Sequence, residues 1–71
     1  MNAVTISIRV NGVQRDVTAG TRVQSLLRDL EFLGKRIAVE RNGEIVPRSR
    51  YADVELEAGD RVEIVRAVGG G

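Results

Sequence analysis

Apolar and polar residues alternate strictly from Val4 to Val10, with the period of a strand that is buried on one face. Asn11-Gly12 interrupts this alternation, and the dipeptide tolerates the positive φ angles of a tight hairpin turn. Val13 and Val17 continue one apolar face beyond the turn. Residues 4–17 are therefore predicted to form a β-hairpin.

The spacing of apolar residues changes to a helical one after Ala19-Gly20. Thr21 and Gln24 fit a capping box, in which both side chains bond to free amides at the start of a helix. Gly34 is placed to end this helix in a left-handed conformation. The apolar stripe at i, i+3, i+4 and i+7 consists of Val23, Leu26, Leu27 and Leu30.

The second half of the chain is predicted to supply further strands. Residues 37–41 alternate again and end at a second Asn-Gly pair, Asn42-Gly43. Ile45-Val46 follows as a short strand, and Pro47 limits its further pairing. Residues 48–53 are predicted to form an irregular connection or one helical turn. Residues 54–56 are expected to be extended, and the last strand is expected over residues 62–68.

This order of elements predicts the class of fold. A hairpin, one helix and further strands pack most economically when the helix lies across one face of a mixed sheet, which makes an α+β domain. The ubiquitin-like β-grasp has this order, and its first and last strands lie side by side and parallel. We expect a single β-grasp domain over residues 1–68 and a flexible glycine tail over residues 69–71.

The composition excludes several functions. The chain has 71 residues, enough for one domain, and it contains neither cysteine nor histidine, which removes disulfides, the usual zinc sites and histidine-based catalysis. Eleven basic and ten acidic residues leave a net charge of +1, too little for a typical nucleic-acid binder. Phe32 and Tyr51 are the only aromatic residues. No long apolar run indicates a signal peptide or a membrane span, so we expect a cytoplasmic protein.

The chain ends in Gly69, Gly70 and Gly71. A glycine tail carries no side chains, so it can pass through a narrow channel in a partner and present its terminal carboxylate there. A frayed end or a flexible linker has the same composition. The glycines follow a predicted strand directly, with no polar linker between, and this favours a functional tail over a frayed end or a linker.

Two segments carry a family resemblance. Residues 38–48, AVERNGEIVPR, resemble the middle of ThiS, the sulfur carrier family of the thiamine pathway. Residues 56–70, LEAGDRVEIVRAVGG, resemble the C-terminal half of the same family. The chain length and the N-terminal Val-Asn-Gly hairpin also fit, so the resemblance covers nearly the whole chain.

The resemblance implies a carrier that partner enzymes act on, and not an enzyme. A ThiF-like adenylyltransferase would use ATP and magnesium to convert the carboxylate of Gly71 into an acyl-adenylate. Sulfur from a cysteine-desulfurase-type donor would then replace AMP and leave a thiocarboxylate, which thiazole synthase consumes. Gly69 and Gly70 would form the thin stem, and the chain itself would bind no cofactor or metal.

A docking surface for these partners is predicted beside the tail. Val65 and Ala67 alternate against the core positions of the last strand, so they and Ala38 are expected to form a small apolar patch on the open sheet face. Ordinary cross-strand packing explains the same pattern. The patch is expected to be ringed by Arg9, Arg61 and Arg66. The predicted docking residues are Val65, Arg66, Ala67 and Val68.

Other functions stay open at the level of sequence. The small subunit of molybdopterin synthase also ends in Gly-Gly, and a sulfur carrier of another pathway has the same requirements. A ubiquitin-like modifier would instead form an isopeptide with a target lysine, and a plain interaction domain would use no tail chemistry. The sequence names neither the sulfur donor nor the recipient enzyme. It also leaves open whether Gly71 is the encoded end, and we expect a monomer when the chain is free.

Overall fold

The computed structural model describes residues 3–66, and the elements within this range follow the predicted order. One short helical element, a 3₁₀ turn at Arg48–Arg50, connects the fourth strand to the last part of the chain. The strands and the α-helix are β1 (Thr5–Val10), β2 (Val13–Thr18), α1 (Val23–Asp29), β3 (Ile37–Arg41), β4 (Glu44–Val46) and β5 (Arg61–Arg66).

The strands form one mixed sheet in the order β2-β1-β5-β3-β4. β1 and β5 are parallel neighbours, and Val10 lies opposite Val62. The other neighbouring strands are antiparallel. The predicted parallel pairing of the first and last strands is therefore confirmed, and β5 occupies the centre of the sheet.

Both predicted Asn-Gly turns are present. Asn11 and Gly12 have φ angles of 50° and 83°, and Asn42 and Gly43 have φ angles of 52° and 85°. Two successive residues with positive φ are the requirement of a type I′ hairpin turn, whose twist matches that of the flanking strands. The two turns close the β1–β2 and β3–β4 hairpins.

The core lies between α1 and the face of the sheet that the helix covers. Side chains of α1 and of the four strands β1, β3, β4 and β5 are packed there with two residues of the segment that follows the 3₁₀ turn. Full burial of one such aliphatic side chain stabilises the fold by about 1.5–3 kcal/mol. The buried core residues are Ile8, Val23, Leu26, Leu27, Val39, Val46, Tyr51, Leu56, Val62 and Ile64.

The predicted capping box at the start of α1 is wrong. The N-cap residue is Arg22, and it makes no capping hydrogen bond with its side chain. The hydroxyl of Thr21 donates instead to the carbonyl of Thr18 at 2.6 Å. The turn after β2 places this carbonyl within hydrogen-bonding distance, so the Thr21 hydroxyl bonds to it and does not cap α1.

Backbone carbonyls from a distant segment bond to the first amides of α1. The amide of Val23 donates to the carbonyl of Val54, and the amide of Gln24 donates to the carbonyl of Tyr51, both at 2.9 Å. Such bonds satisfy donors that have no partner within the helix. The start of α1 is thus fixed by tertiary structure.

The helix also ends before the predicted Gly34. Glu31 adopts the left-handed conformation with a φ angle of 64°. The amide of Phe32 donates to the carbonyl of Leu27 at 2.8 Å, and the amide of Glu31 donates to the carbonyl of Arg28 at 3.0 Å, which is a Schellman motif. The chain reverses here because this brings Phe32 back against the core. Gly34, with a φ angle of 80°, serves the following turn.

Candidate functional site

The central strand β5 leads to the last described residue and exposes one row of side chains. Val62 and Ile64 are buried under α1, whereas Arg61, Glu63 and Val65 are exposed on the opposite side of the sheet. We call this opposite side the open face. The predicted docking residue Val65 lies on this face, next in sequence to the last described residue, Arg66.

Cross-strand neighbours extend the exposed row of β5 into three pairs across the open face. The first pair consists of two arginines, the second of two glutamates and the third of two small apolar residues. We call them the arginine row, the glutamate row and the apolar row. In order along β5 the pairs are Arg9 with Arg61, Glu40 with Glu63 and Ala38 with Val65.

The apolar row contains the described part of the predicted docking patch. Val65 is 53% exposed, and Ala38 lies exposed directly opposite. Arg66 has the strand parity of the core positions Val62 and Ile64, so it lies on the other side of the sheet from Val65. Ala67, Val68 and the three glycines lie outside the described residues, and their docking and tail roles stay predictions.

The expected ring of arginines around the patch is wrong. The parallel register places Arg9 and Arg61 at the beginning of β5, and Val65 lies near its end. The glutamate row lies between them. The open face therefore presents positive, negative and apolar positions in sequence along one strand.

A buried carboxylate fixes the beginning of β5. The side chain of Asp60 is only 7% exposed. Its Oδ2 accepts hydrogen bonds from Nε of Arg41 at 2.9 Å and from the amide of Glu57 at 2.8 Å. Its Oδ1 accepts one from Nδ2 of Asn42 at 3.0 Å. These bonds join the turn before β5 to the β3–β4 hairpin.

The two turn asparagines also bond to β5. Oδ1 of Asn11 accepts from the amide of Ile64 at 2.8 Å, and Nδ2 of the same side chain donates to the carbonyl of Ile64 at 3.2 Å. Oδ1 of Asn42 accepts from the amide of Arg61 at 2.9 Å. Sequence reasoning missed these contacts. The available signal was that asparagine, unlike glycine or aspartate, carries both a donor and an acceptor.

A shallow recess of about 380 Å³ lies at the arginine row. Its wall is formed by β1, β2 and the turn before β5, including Ser7, Gln14 and Gly59 beside the two arginines. Among residues 3–66 the ion pairs are those of Arg41 with Glu57 and Asp60 and that of Arg50 with Asp53. Neither arginine of the row takes part in them.

Residues 3–66 contain neither a cluster of metal-binding side chains nor a membrane-spanning helix. Within residues 3–66, no group of three or more histidine, cysteine, aspartate or glutamate side chains is arranged to hold a metal ion. In the same range no helix has the length and apolar character needed to cross a bilayer.

One helix across a five-stranded mixed sheet, with parallel first and last strands, defines a ubiquitin-like β-grasp protein. The crystal structure of the thiamine biosynthesis protein ThiS from Geobacter metallireducens has the same fold, with a TM-score of 0.82. It is 30% identical in sequence, and the match covers 93% of this chain and 100% of that one. The β-grasp prediction is confirmed.

The model of the ThiS family matches residues 8–71, and the chain belongs to that family. The sulfur carrier protein ThiS of Bacillus subtilis (strain 168) is 47% identical over 49 residues, which are 69% of this chain and 74% of that protein. The resemblance inferred from residues 38–48 and 56–70 is therefore confirmed.

Two longer relatives are thiazole synthases. That of Paramagnetospirillum magneticum is 47% identical over 62 residues, 87% of this chain and 19% of that protein. That of Magnetococcus marinus is 39% identical over 66 residues, 93% of this chain and 20% of that protein. The chain thus spans about a fifth of the length of these two relatives.

Proposed function

We propose that this chain is a sulfur carrier of thiamine biosynthesis and that its working group is the carboxylate of Gly71. The observation that carries the proposal is the family match, which extends through the glycines to residue 71. The Bacillus subtilis relative is named a sulfur carrier, and the two thiazole synthases contain a segment similar to this chain. In this role the chain is a substrate of partner enzymes.

The chemistry begins with activation, because a carboxylate is a poor electrophile. A ThiF-like adenylyltransferase, with ATP and magnesium, transfers AMP to the Gly71 carboxylate and releases pyrophosphate. A thiol reductant releases sulfide-level sulfur from the persulfide of a cysteine-desulfurase-type donor, and this sulfur displaces AMP from the acyl carbon and leaves a thiocarboxylate. Thiazole synthase takes this sulfur. These reactions occur in the cytoplasm on a carrier that is monomeric when free.

The partners dock beside the tail. The apolar row offers a contact that costs little desolvation, because Val65 and Ala38 carry no polar side-chain groups. Arg66, Ala67 and Val68 connect this contact to the glycines. Gly69 and Gly70 add no side-chain bulk, so they suit a narrow channel that leads to the active site of a partner.

The proposal is tested by intact-protein mass spectrometry after incubation with a ThiF-like adenylyltransferase, ATP, magnesium and a sulfur donor. We expect a mass gain equal to the exchange of one oxygen for sulfur, located on Gly71 by fragmentation. A variant that lacks Gly70 and Gly71 serves as the control and should gain nothing. Absence of both the AMP adduct and the thiocarboxylate on the full chain would refute the carrier function.

The docking role of Val65 is tested separately with a charged substitution. Val65→Asp should raise the KM of the adenylyltransferase for the carrier, because the apolar contact is replaced by a carboxylate. Val13 is 68% exposed on the outer strand β2, so Val13→Asp is a matched control. Equal KM values for the two variants would show that Val65 is not part of the docking surface.

The pathway is tested by adding thiazole synthase to the modified carrier. If the thiocarboxylate forms but thiazole synthase does not consume it, the carrier serves another pathway.

A further inference from the structure

The arginine row and the glutamate row each place like charges directly opposite one another. Arg9 faces Arg61 in the parallel pair, and Glu40 faces Glu63 in the antiparallel pair. Like charges in this arrangement destabilise a sheet. None of these four side chains takes part in an ion pair among residues 3–66, so the described chain contains two like-charge cross-strand pairs in neighbouring rows.

The spacing of the rows is set by strand geometry. Residues two positions apart on one face of a strand are separated by about 6.6–6.8 Å. Arg61, Glu63 and Val65 therefore form a line of about 13 Å that runs positive, negative and apolar along β5. A binding partner that matches this line has to hold an acidic and a basic group at the same spacing.

We infer that the two charged rows fix the orientation of the adenylyltransferase on the carrier. The partner presents a carboxylate to the recess at Arg9 and Arg61, and it presents a cationic side chain to Glu40 and Glu63. The apolar contact at Val65 then falls at the C-terminal end of the line. This inference rests on the proposed function, which supplies the identity of the partner.

A free anion is a poorer occupant of the recess than a protein side chain. The glutamate row begins only about 7 Å along the strand from the arginine row, so it repels a mobile phosphate or carboxylate that approaches alone. A protein surface brings its own cation to the glutamate row and satisfies both rows at once. Complementary charge patterns of this kind set partner choice and register.

A second copy of the chain matches the charges but leaves the apolar row uncovered. A two-fold face-to-face dimer that sets Arg61 against Glu63 of the other copy would bring Val65 over Gly59, at the turn before β5. Gly59 offers no side chain for an apolar contact. The surface of a different protein therefore fits the whole line better than the carrier's own face.

Removal of one of these charges should affect the stability of the free carrier and its binding to the adenylyltransferase in different ways. Glu63→Gln and Arg61→Gln each remove one half of a repulsive contact, so the Tm of the free carrier should stay the same or rise. The same changes should raise the KM of the adenylyltransferase about tenfold, with kcat nearly unchanged. If attraction between the arginine row and the neighbouring glutamate row instead stabilised the sheet, Tm would fall in both variants.

The experiment measures adenylation of the full-length carrier by a ThiF-like adenylyltransferase, together with Tm, for each variant. Arg28→Gln and Asp29→Asn are the controls, because both residues are exposed at the end of α1, which covers the other side of the sheet. The decisive variant exchanges the two charges, Arg61→Glu with Glu63→Arg. It keeps the net charge, so a KM about tenfold above wild type would show that the order of the charges matters.

The outcomes separate this inference from the carrier function. Normal adenylation of the wild type with unchanged KM in the three open-face variants overturns the inference and leaves the proposed function intact. A wild type that is not adenylated overturns both. Concentration-dependent dimerisation of the wild type that is lost in Glu63→Gln overturns the inference by making a second copy the occupant.

Discussion

Asp60 offers the sharpest test of how the fold holds the central strand. All three groups that bond to its carboxylate are donors, namely Nε of Arg41, Nδ2 of Asn42 and the amide of Glu57. Asp60→Asn keeps the size and shape of the side chain. Its amide group carries only one acceptor oxygen, so its NH₂ has to face one of the donors.

The expected loss of stability follows from these contacts. A hydrogen bond to a charged group contributes about 1.5–3 kcal/mol, and loss of one member of a fully buried ion pair costs about 3–5 kcal/mol. Arg41 keeps Glu57 as a second partner, and its side chain is 25% exposed, which moderates the loss. We therefore expect Asp60→Asn to cost about 2–3 kcal/mol. For a domain of this size the corresponding fall in Tm is about 10–20 °C.

The assay is equilibrium unfolding in urea followed by circular dichroism, with Glu57→Gln as the control. The Glu57 side chain is 74% exposed, so loss of its ion pair with Arg41 should cost at most about 1 kcal/mol. Both variants should unfold with the wild-type m-value. If Asp60→Asn were no more destabilising than Glu57→Gln, the carboxylate would not hold β5 in place as described.

Three further changes test other parts of the fold. Asn11→Gly keeps the turn but removes both side-chain bonds to Ile64, so it should lower the free energy of unfolding by about 1–2 kcal/mol. It should also speed hydrogen exchange of the Ile64 amide, and an unchanged exchange rate would contradict the contact. Glu31→Gly should raise the free energy of unfolding by about 0.5 kcal/mol, because the strain of the left-handed conformation that glycine relieves exceeds the entropy that glycine adds to the unfolded chain. A lower free energy of unfolding in a urea titration would contradict this. Leu27→Ala should cost about 3 kcal/mol in the same titration, and a loss below about 1 kcal/mol would mean that the site is not tightly packed.

Local pattern was enough to predict most elements. Alternation and the two Asn-Gly dipeptides identified both hairpins, because the side-chain period and the φ requirement of the turn residues are local properties. The helical stripe of Val23, Leu26 and Leu27 is buried as expected. The parallel pairing of β1 and β5 came from fold analogy.

The errors at the ends of α1 have non-local causes. The helix start depends on carbonyls of Tyr51 and Val54, which lie far along the chain. The helix end depends on the packing of Phe32 against the core, which places Glu31 in a conformation that glycine usually adopts. Neither cause leaves a signal in the local spacing of residues.

The layout of the candidate site was only partly predictable. Exposure of Val65 followed from strand parity. The order of Arg61, Glu63 and Val65 along β5 can be read from the sequence. Strand register decides that Arg9 lies opposite Arg61 and that Glu40 lies opposite Glu63. Register between strands that are far apart in sequence is set by the whole sheet, so the pairing of like charges across the open face emerged only from the structure.

The central claim is that Gly71 carries sulfur, and the direct measurement is the intact mass of this protein isolated from its own cells grown without thiamine. We expect a species heavier by the exchange of one oxygen for sulfur, with the sulfur on Gly71 and lost on incubation with thiazole synthase and its substrates. Its absence, with every molecule either unmodified at Gly71 or extended beyond it, would contradict the account.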